Sequence, residues 1–234
     1  MNVIEIKLLS FSYRNKRVLD NLEIAIPQGS ICGLLGRNGA GKTTMIKLML
    51  GLLPSNAGTI YYHGLDFDKH RIALLQCIGT LVETPSLYAH LSCWEQLQYL
   101  NFYFRQPLSR IDEILTLVGL ANEEQTKIKH CSTGMKQRLA IAVALFNHPD
   151  ILILDEPLNG LDPSGIYDMR NLFRQLQQSG ITILLSSHII SEVEKICTHV
   201  AILEQGEIRY CKDVDMDLEQ MYLNIVSSQN HYEK

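Results

Sequence analysis

A chain of 234 residues is long enough for one substantial domain, or for a core with one inserted subdomain. Its net charge of −4 and pI near 6.1 give no basic field for nucleic acid, and a 46% hydrophobic content excludes extended disorder. No apolar run reaches the roughly 18 residues of a membrane span, and "MNVIEIKLLS" is not a signal peptide, so the expectation is a soluble, intracellular protein.

In chain order, "VIEIKLL" (3–9) and "RVLDNLEIAI" (17–26) alternate apolar and polar residues, as half-exposed antiparallel strands do. "ICGLLG" (31–36) is nearly continuous in apolar residues, the pattern of a parallel strand buried on both faces. A helix follows from Thr43 to Leu50, stopped by Gly51 with Pro54 beyond. "GTIYYHG" (58–64) returns to antiparallel character, and "IGTLVE" (78–83) to a buried strand. "SCWE" (92–95) is a capping box that opens a helix through Leu97, Leu100 and Tyr103. Ser109 is expected to cap the next, whose face carries Ile111, Ile114, Leu115 and Val118 and which Gly119 stops. "CSTGMKQR" (131–138) begins a helical run continuing through Leu139, Ala142, Val143 and Phe146.

The buried strand "ILILDEP" (151–157) comes next, then "DPSG" (162–165), where Asp162 caps a helix with Pro163 at its first position. "ITILLSS" (181–187) is another buried strand, and "VAILEQGEIRY" (200–210) a late hairpin. The six cysteines have neither CxxC nor metal-ligand spacing and read as scattered reduced thiols. These elements assemble into an α/β core carrying an antiparallel sheet, with a helical insert at about 88–130 and a short polar tail at about 212–234.

Chemistry concentrates in a few stretches. "GRNGAGKT" (36–43) fits G-x-x-x-x-G-K-[ST] between a buried strand and a helix, the context a phosphate loop requires. Gly36, Gly39 and Gly41 let the backbone, with Arg37, Asn38 and Ala40, curl around phosphate oxygens; Lys42 reaches the β- and γ-phosphates. The Thr43 hydroxyl, beside Thr44, is placed to hold Mg²⁺. Asp155, at the end of a buried strand, is the acidic partner for that ion, and Glu156 the candidate general base. Ser132 and Gly134 begin a second helix N-terminus able to stabilise an anion.

With the phosphate loop, "CSTGMKQR", "ILILDEP", "LNGLDP" (158–163) and His188 in that order, residues 2–212 resemble the ATP-binding subunits of ABC transporters. The resemblance implies a P-loop NTPase core with a parallel sheet, an N-terminal antiparallel β subdomain and a helical insert, forming one ABC ATP-binding domain over 1–234. It also implies that Ser132, Thr133, Gly134 and Met135 form a signature segment, here departing from L-S-G-G-Q at Cys131, Thr133 and Met135. That segment would close over ATP held by a second, head-to-tail copy, with two ATP sites per homodimer. Tyr13 would stack on adenine, Asp162 would lie in the loop linking the two sites, and His188 would be the switch histidine near the γ-phosphate.

Glu83 departs from the family, which usually has glutamine there, beside the magnesium ion. Glutamate at this position, with "E-x-P-x-x-Y", is similar to the lantibiotic-immunity and peptide-antibiotic resistance exporter group. The implied function is ATP hydrolysis that drives a separate membrane permease, from the cytoplasmic face, for antimicrobial peptides. An exporter of a drug, lipid or polysaccharide is the alternative, and a soluble ABC-type ATPase the more distant one. Permease contact is expected around Glu83, "TPSLY" (84–88) and Trp94.

Overall fold

The computed structural model describes residues 1–55, 57–83, 86–214 and 217–227. Strands β1 (Asn2–Tyr13) and β2 (Lys16–Pro27) form a long antiparallel pair, and β3 (Ile31–Leu35) follows after a short turn. Helix α1 (Lys42–Met49) leads to β4 (Ala57–Tyr62) and the short β5 (Leu65–Asp66). Then come α2 (Phe67–Gln76), β6 (Ile78–Leu81), α3 (Cys93–Phe104), α4 (Ser109–Leu117) and α5 (Thr133–Leu145). The chain continues through β7 (Ile151–Leu154), α6 (Pro163–Gln178), β8 (Thr182–Ser187), α7 (Ile190–Ile196), β9 (His199–Glu204), β10 (Glu207–Asp213) and α8 (Leu218–Ser227).

Two sheets result. One is antiparallel in the order β2-β1-β4-β5; the other runs β10-β9-β3-β8-β7-β6 and is parallel except for β10. The late hairpin therefore belongs to the main sheet, because β9 pairs parallel with β3.

The nearly continuous apolar strands have a simple cause. Side chains alternate across a sheet, and both faces here are covered. Ile31, Leu35, Leu152, Leu154, Ile183 and Leu185 face the layer of α3 to α8. Their neighbours Cys32, Leu34, Ile151, Ile153 and Leu184 face α1 and the antiparallel sheet. Helix α1 is thus held between the two sheets, which fixes the loop that precedes it.

Local expectations mostly hold. Ser92 accepts from the Glu95 N–H while Glu95 accepts from the Ser92 N–H, completing the capping box of α3. Asp162 accepts from the Gly165 N–H at 3.1 Å and caps α6. Ser109 is a correction: Leu108 precedes the helix, already in right-handed geometry, and no side chain caps α4. The Arg110 guanidinium donates to the carbonyls of Leu145 and Phe146, so tertiary contacts rather than a cap set the start of α4. The stretch read as a polar tail carries α8, anchored by buried Leu218; its remainder at 215–216 and 228–234 lies outside the described residues. All six cysteines are free thiols.

Candidate active site

Four parallel strands end at one edge of the main sheet. Gly36 follows β3, Glu83 lies just beyond β6, Asp155 and Glu156 follow β7, and His188 follows β8. In open α/β sheets this carboxyl edge is where ligands bind, since the loops there are free to diverge while the strands hold them in register.

The loop between β3 and α1 needs glycine at two positions for separate reasons. Gly41 adopts φ 111°, a region side chains rarely enter, and turns the chain into α1. A Cβ at Gly36 would meet the Leu203 carbonyl of β9 at 2.5 Å, so this strand end packs directly on backbone. Lys42 is buried, and its Nζ donates to the Gly36 carbonyl at 2.8 Å. Arg37 to Thr44, with Tyr13, Glu156, Asn159 and His188, line a cleft of about 640 Å³. Tyr13 is exposed at its rim, edge-on to Phe11 at 4.8 Å.

The carboxylates are tied into this loop. The Thr43 hydroxyl donates to Asp155 Oδ2 at 2.8 Å, and the Ser186 hydroxyl donates to Asp155 Oδ1 at 2.6 Å. Asp155 is buried, and both its oxygens accept hydroxyl hydrogen bonds, as a buried charge requires. Glu156 adopts φ 48°, unusual for a residue with a Cβ and a form of strain found at functional sites. That backbone turns its side chain between two groups: Oε1 lies 3.3 Å from Lys42 Nζ, and Oε2 lies 2.9 Å from His188 Nδ1. The carboxylate is thus held between a lysine and a histidine at the cleft.

The helix start at Ser132, expected from the sequence to stabilise an anion, does not line this cleft. Ser132 caps α5 by accepting from the Met135 N–H at 3.2 Å. Among the described residues, none of Ser132, Thr133, Gly134 and Met135 lines the phosphate-loop cleft. Thr133 instead lines a second cavity, about 820 Å³, with Glu83, Asp155, Glu156, Lys129 and Lys136. Asp162 caps α6 and is exposed.

Glu83, expected beside the magnesium position, gives its carboxylate to Lys47 of α1 at 2.5 Å. Its backbone has φ 58°, left-handed geometry that is unusual for a residue with a Cβ. Of the "TPSLY" residues, Thr84 and Pro85 lie outside the described residues. Sequence reasoning missed Lys47 and Ser186. The one available signal for Ser186 was a hydroxyl pair, "SS", closing an otherwise apolar strand.

The fold and the loop between β3 and α1 define a P-loop nucleoside triphosphatase. The chain belongs to the ABC transporter family, whose model matches residues 19–159. It is 43% identical over 211 residues to the bacitracin transport ATP-binding protein BcrA of Bacillus licheniformis, covering 88% of this chain and 68% of that one. It is 38% identical over 224 residues to the lantibiotic transport ATP-binding protein SrtF of Streptococcus pyogenes, covering 95% and 96%. Among solved structures, cbiO1 of Clostridium perfringens, part of the ABC transporter complex cbiONQ, superposes with a TM-score of 0.84 at 26% identity, over 99% of this chain and 96% of that one.

As a member of this family the chain is an ATP-binding, ATP-hydrolysing protein, and such transporter subunits work with separate permease components. Among the described residues, no helix is long and apolar enough to cross a membrane.

Proposed function

We propose that this chain is the ATP-hydrolysing subunit of an exporter of lantibiotics or related antimicrobial peptides, working on the cytoplasmic face of the membrane through a separately encoded permease. The names of BcrA and SrtF support the substrate class, and Glu83 in place of the family's usual glutamine supports the same group.

The observation that carries the catalytic reading is Glu156, held between Lys42 and His188 at the mouth of the phosphate-loop cleft. ATP lies with adenine on Tyr13 and its β- and γ-phosphates against Lys42 and the backbone N–H groups of residues 37–44. Glu156 takes a proton from the attacking water, and His188 orients it and meets the developing charge. Thr43 and Asp155 offer oxygen donors already 2.8 Å apart, a set that suits magnesium, an ion usually bound by one or two protein oxygens plus phosphates and water. When bound, it neutralises phosphate charge.

Each cleft is completed by a second copy of the chain. Ser132, Thr133, Gly134 and Met135 lie outside their own cleft but form a helix N-terminus, suited to a γ-phosphate presented by a partner. The loop around Asp162 then runs between the two sites.

Glu156→Gln tests the reading. Steady-state hydrolysis is expected to fall by at least about 100-fold, the usual worth of a general base, while ATP binding persists and an ATP-bound dimer accumulates. Hydrolysis near the parent rate would overturn the assignment.

A further inference from the structure

Glu83 brings a third carboxylate to the cavity already lined by Asp155 and Glu156. Glu156 already faces Lys42 at 3.3 Å and Asp155 accepts two hydroxyl hydrogen bonds, so of the three it is Glu83 whose charge another group must cancel beside the neighbouring phosphate-loop cleft. Lys47 is the group in position to do so. It lies four residues beyond Thr43, hence on the same face of α1 one turn further along. Its Nζ meets Glu83 Oε1 at 2.5 Å, and the lysine is the more sheltered partner, 27% exposed against 60% for Glu83. The Glu83 hydrogen bond holds its proton affinity above the usual lysine range, and the field of Asp155 adds to this. The ion pair also spans two elements that meet at the site: β6, whose Leu81 carbonyl accepts the Asp155 N–H at 2.7 Å, and α1, which carries Thr43.

We propose that Lys47 is a positioning residue for the nucleotide site: it holds the Glu83 carboxylate on α1 and cancels its charge, so that glutamate at the end of β6 acts toward bound MgATP as a neutral side chain. The proposal rests on the reading above that the magnesium nucleotide binds beside Thr43 and Asp155. It makes Lys47 and Glu83 one unit, in which loss of the cation is harmful only while the anion remains.

A double-substitution cycle with four proteins tests it: the parent chain, Lys47→Met, Glu83→Gln and the combination. The readout is affinity for trinitrophenyl-ATP with magnesium, alongside thermal unfolding of each protein. Lys47→Met is expected to weaken nucleotide binding about threefold to fivefold, the scale of a partly exposed charge pair. Glu83→Gln added to it should restore affinity to within about twofold of the parent, and Lys47→Arg should retain parent affinity. Unchanged affinity in folded Lys47→Met, or a loss that persists in the combination, would overturn the proposal. If Lys47→Met does not fold, a weakened Lys47→Arg would overturn it. Failure of the parent chain itself to bind would overturn the nucleotide reading and this inference together.

Discussion

The Ser186 hydroxyl donates to Asp155 Oδ1 at 2.6 Å and accepts from the Glu156 N–H at 2.8 Å, so one small side chain orients both carboxylates. Ser186→Ala leaves a buried carboxylate oxygen and a peptide N–H without these partners, at a cost of about 1–3 kcal/mol. A melting temperature lowered by several degrees and a reduced kcat are expected, with calorimetry and a coupled ATPase assay as the checks. Ser187→Ala is the control, since among the described residues that hydroxyl accepts from the nearby Ile189 N–H and touches neither carboxylate, and it should change kcat far less. The contrast between these neighbours shows what was readable beforehand. "GRNGAGKT" and "ILILDEP" were legible because each packs its chemistry into contiguous residues whose types have few other uses. Ser186 and Lys47 were not, because their partners lie 31 and 36 residues away and only folding brings them together.

At the scale of elements, the buried strands were legible from composition, since two covered faces demand apolar residues at every position. Helices α2, α7 and α8 were not. Helix α7 is only seven residues long, and α2 carries non-helical backbone at His70, so neither presents a long regular stripe. Helix α3 was announced by its cap, and the cap makes a pH prediction. A hydrogen bond from Lys127, then one from the Ser92 N–H, hold the Glu95 carboxyl below the usual carboxylate range. A lowered folded-state pKa means this stabilisation is present above the unfolded value and is lost as pH falls through the folded one. Glu95→Gln should therefore melt below the parent at neutral pH, and the gap should close as the solution is acidified beneath that lowered pKa. A gap independent of pH would assign the effect to packing.

For the whole molecule, the two sheets with α1 between them present the phosphate loop at one edge, while Thr133, at the start of α5, lines a neighbouring cavity rather than the phosphate-loop cleft itself. That separation is consistent with the proposed head-to-tail dimer, and the dimer in turn predicts a concentration dependence. Turnover per mole of isolated chain should fall steeply on dilution below the dimer's dissociation constant, measured as ATPase rate from micromolar to low nanomolar protein. A flat specific activity would show that one copy suffices. The motif order implied such a dimer only through the family resemblance, whereas the placement of Thr133 on a separate cavity needed three dimensions.

The strand ends at Gly36, Glu83, Asp155 and His188 span more than 150 positions of sequence, so no fragment of an uncoiled polypeptide can assemble the phosphate cradle. Ligand that recognises only the finished shape pulls the folding equilibrium toward it, by about 2.7 kcal/mol at a hundredfold excess over its dissociation constant. The nucleotide this protein consumes thereby also steadies the shape that consumes it.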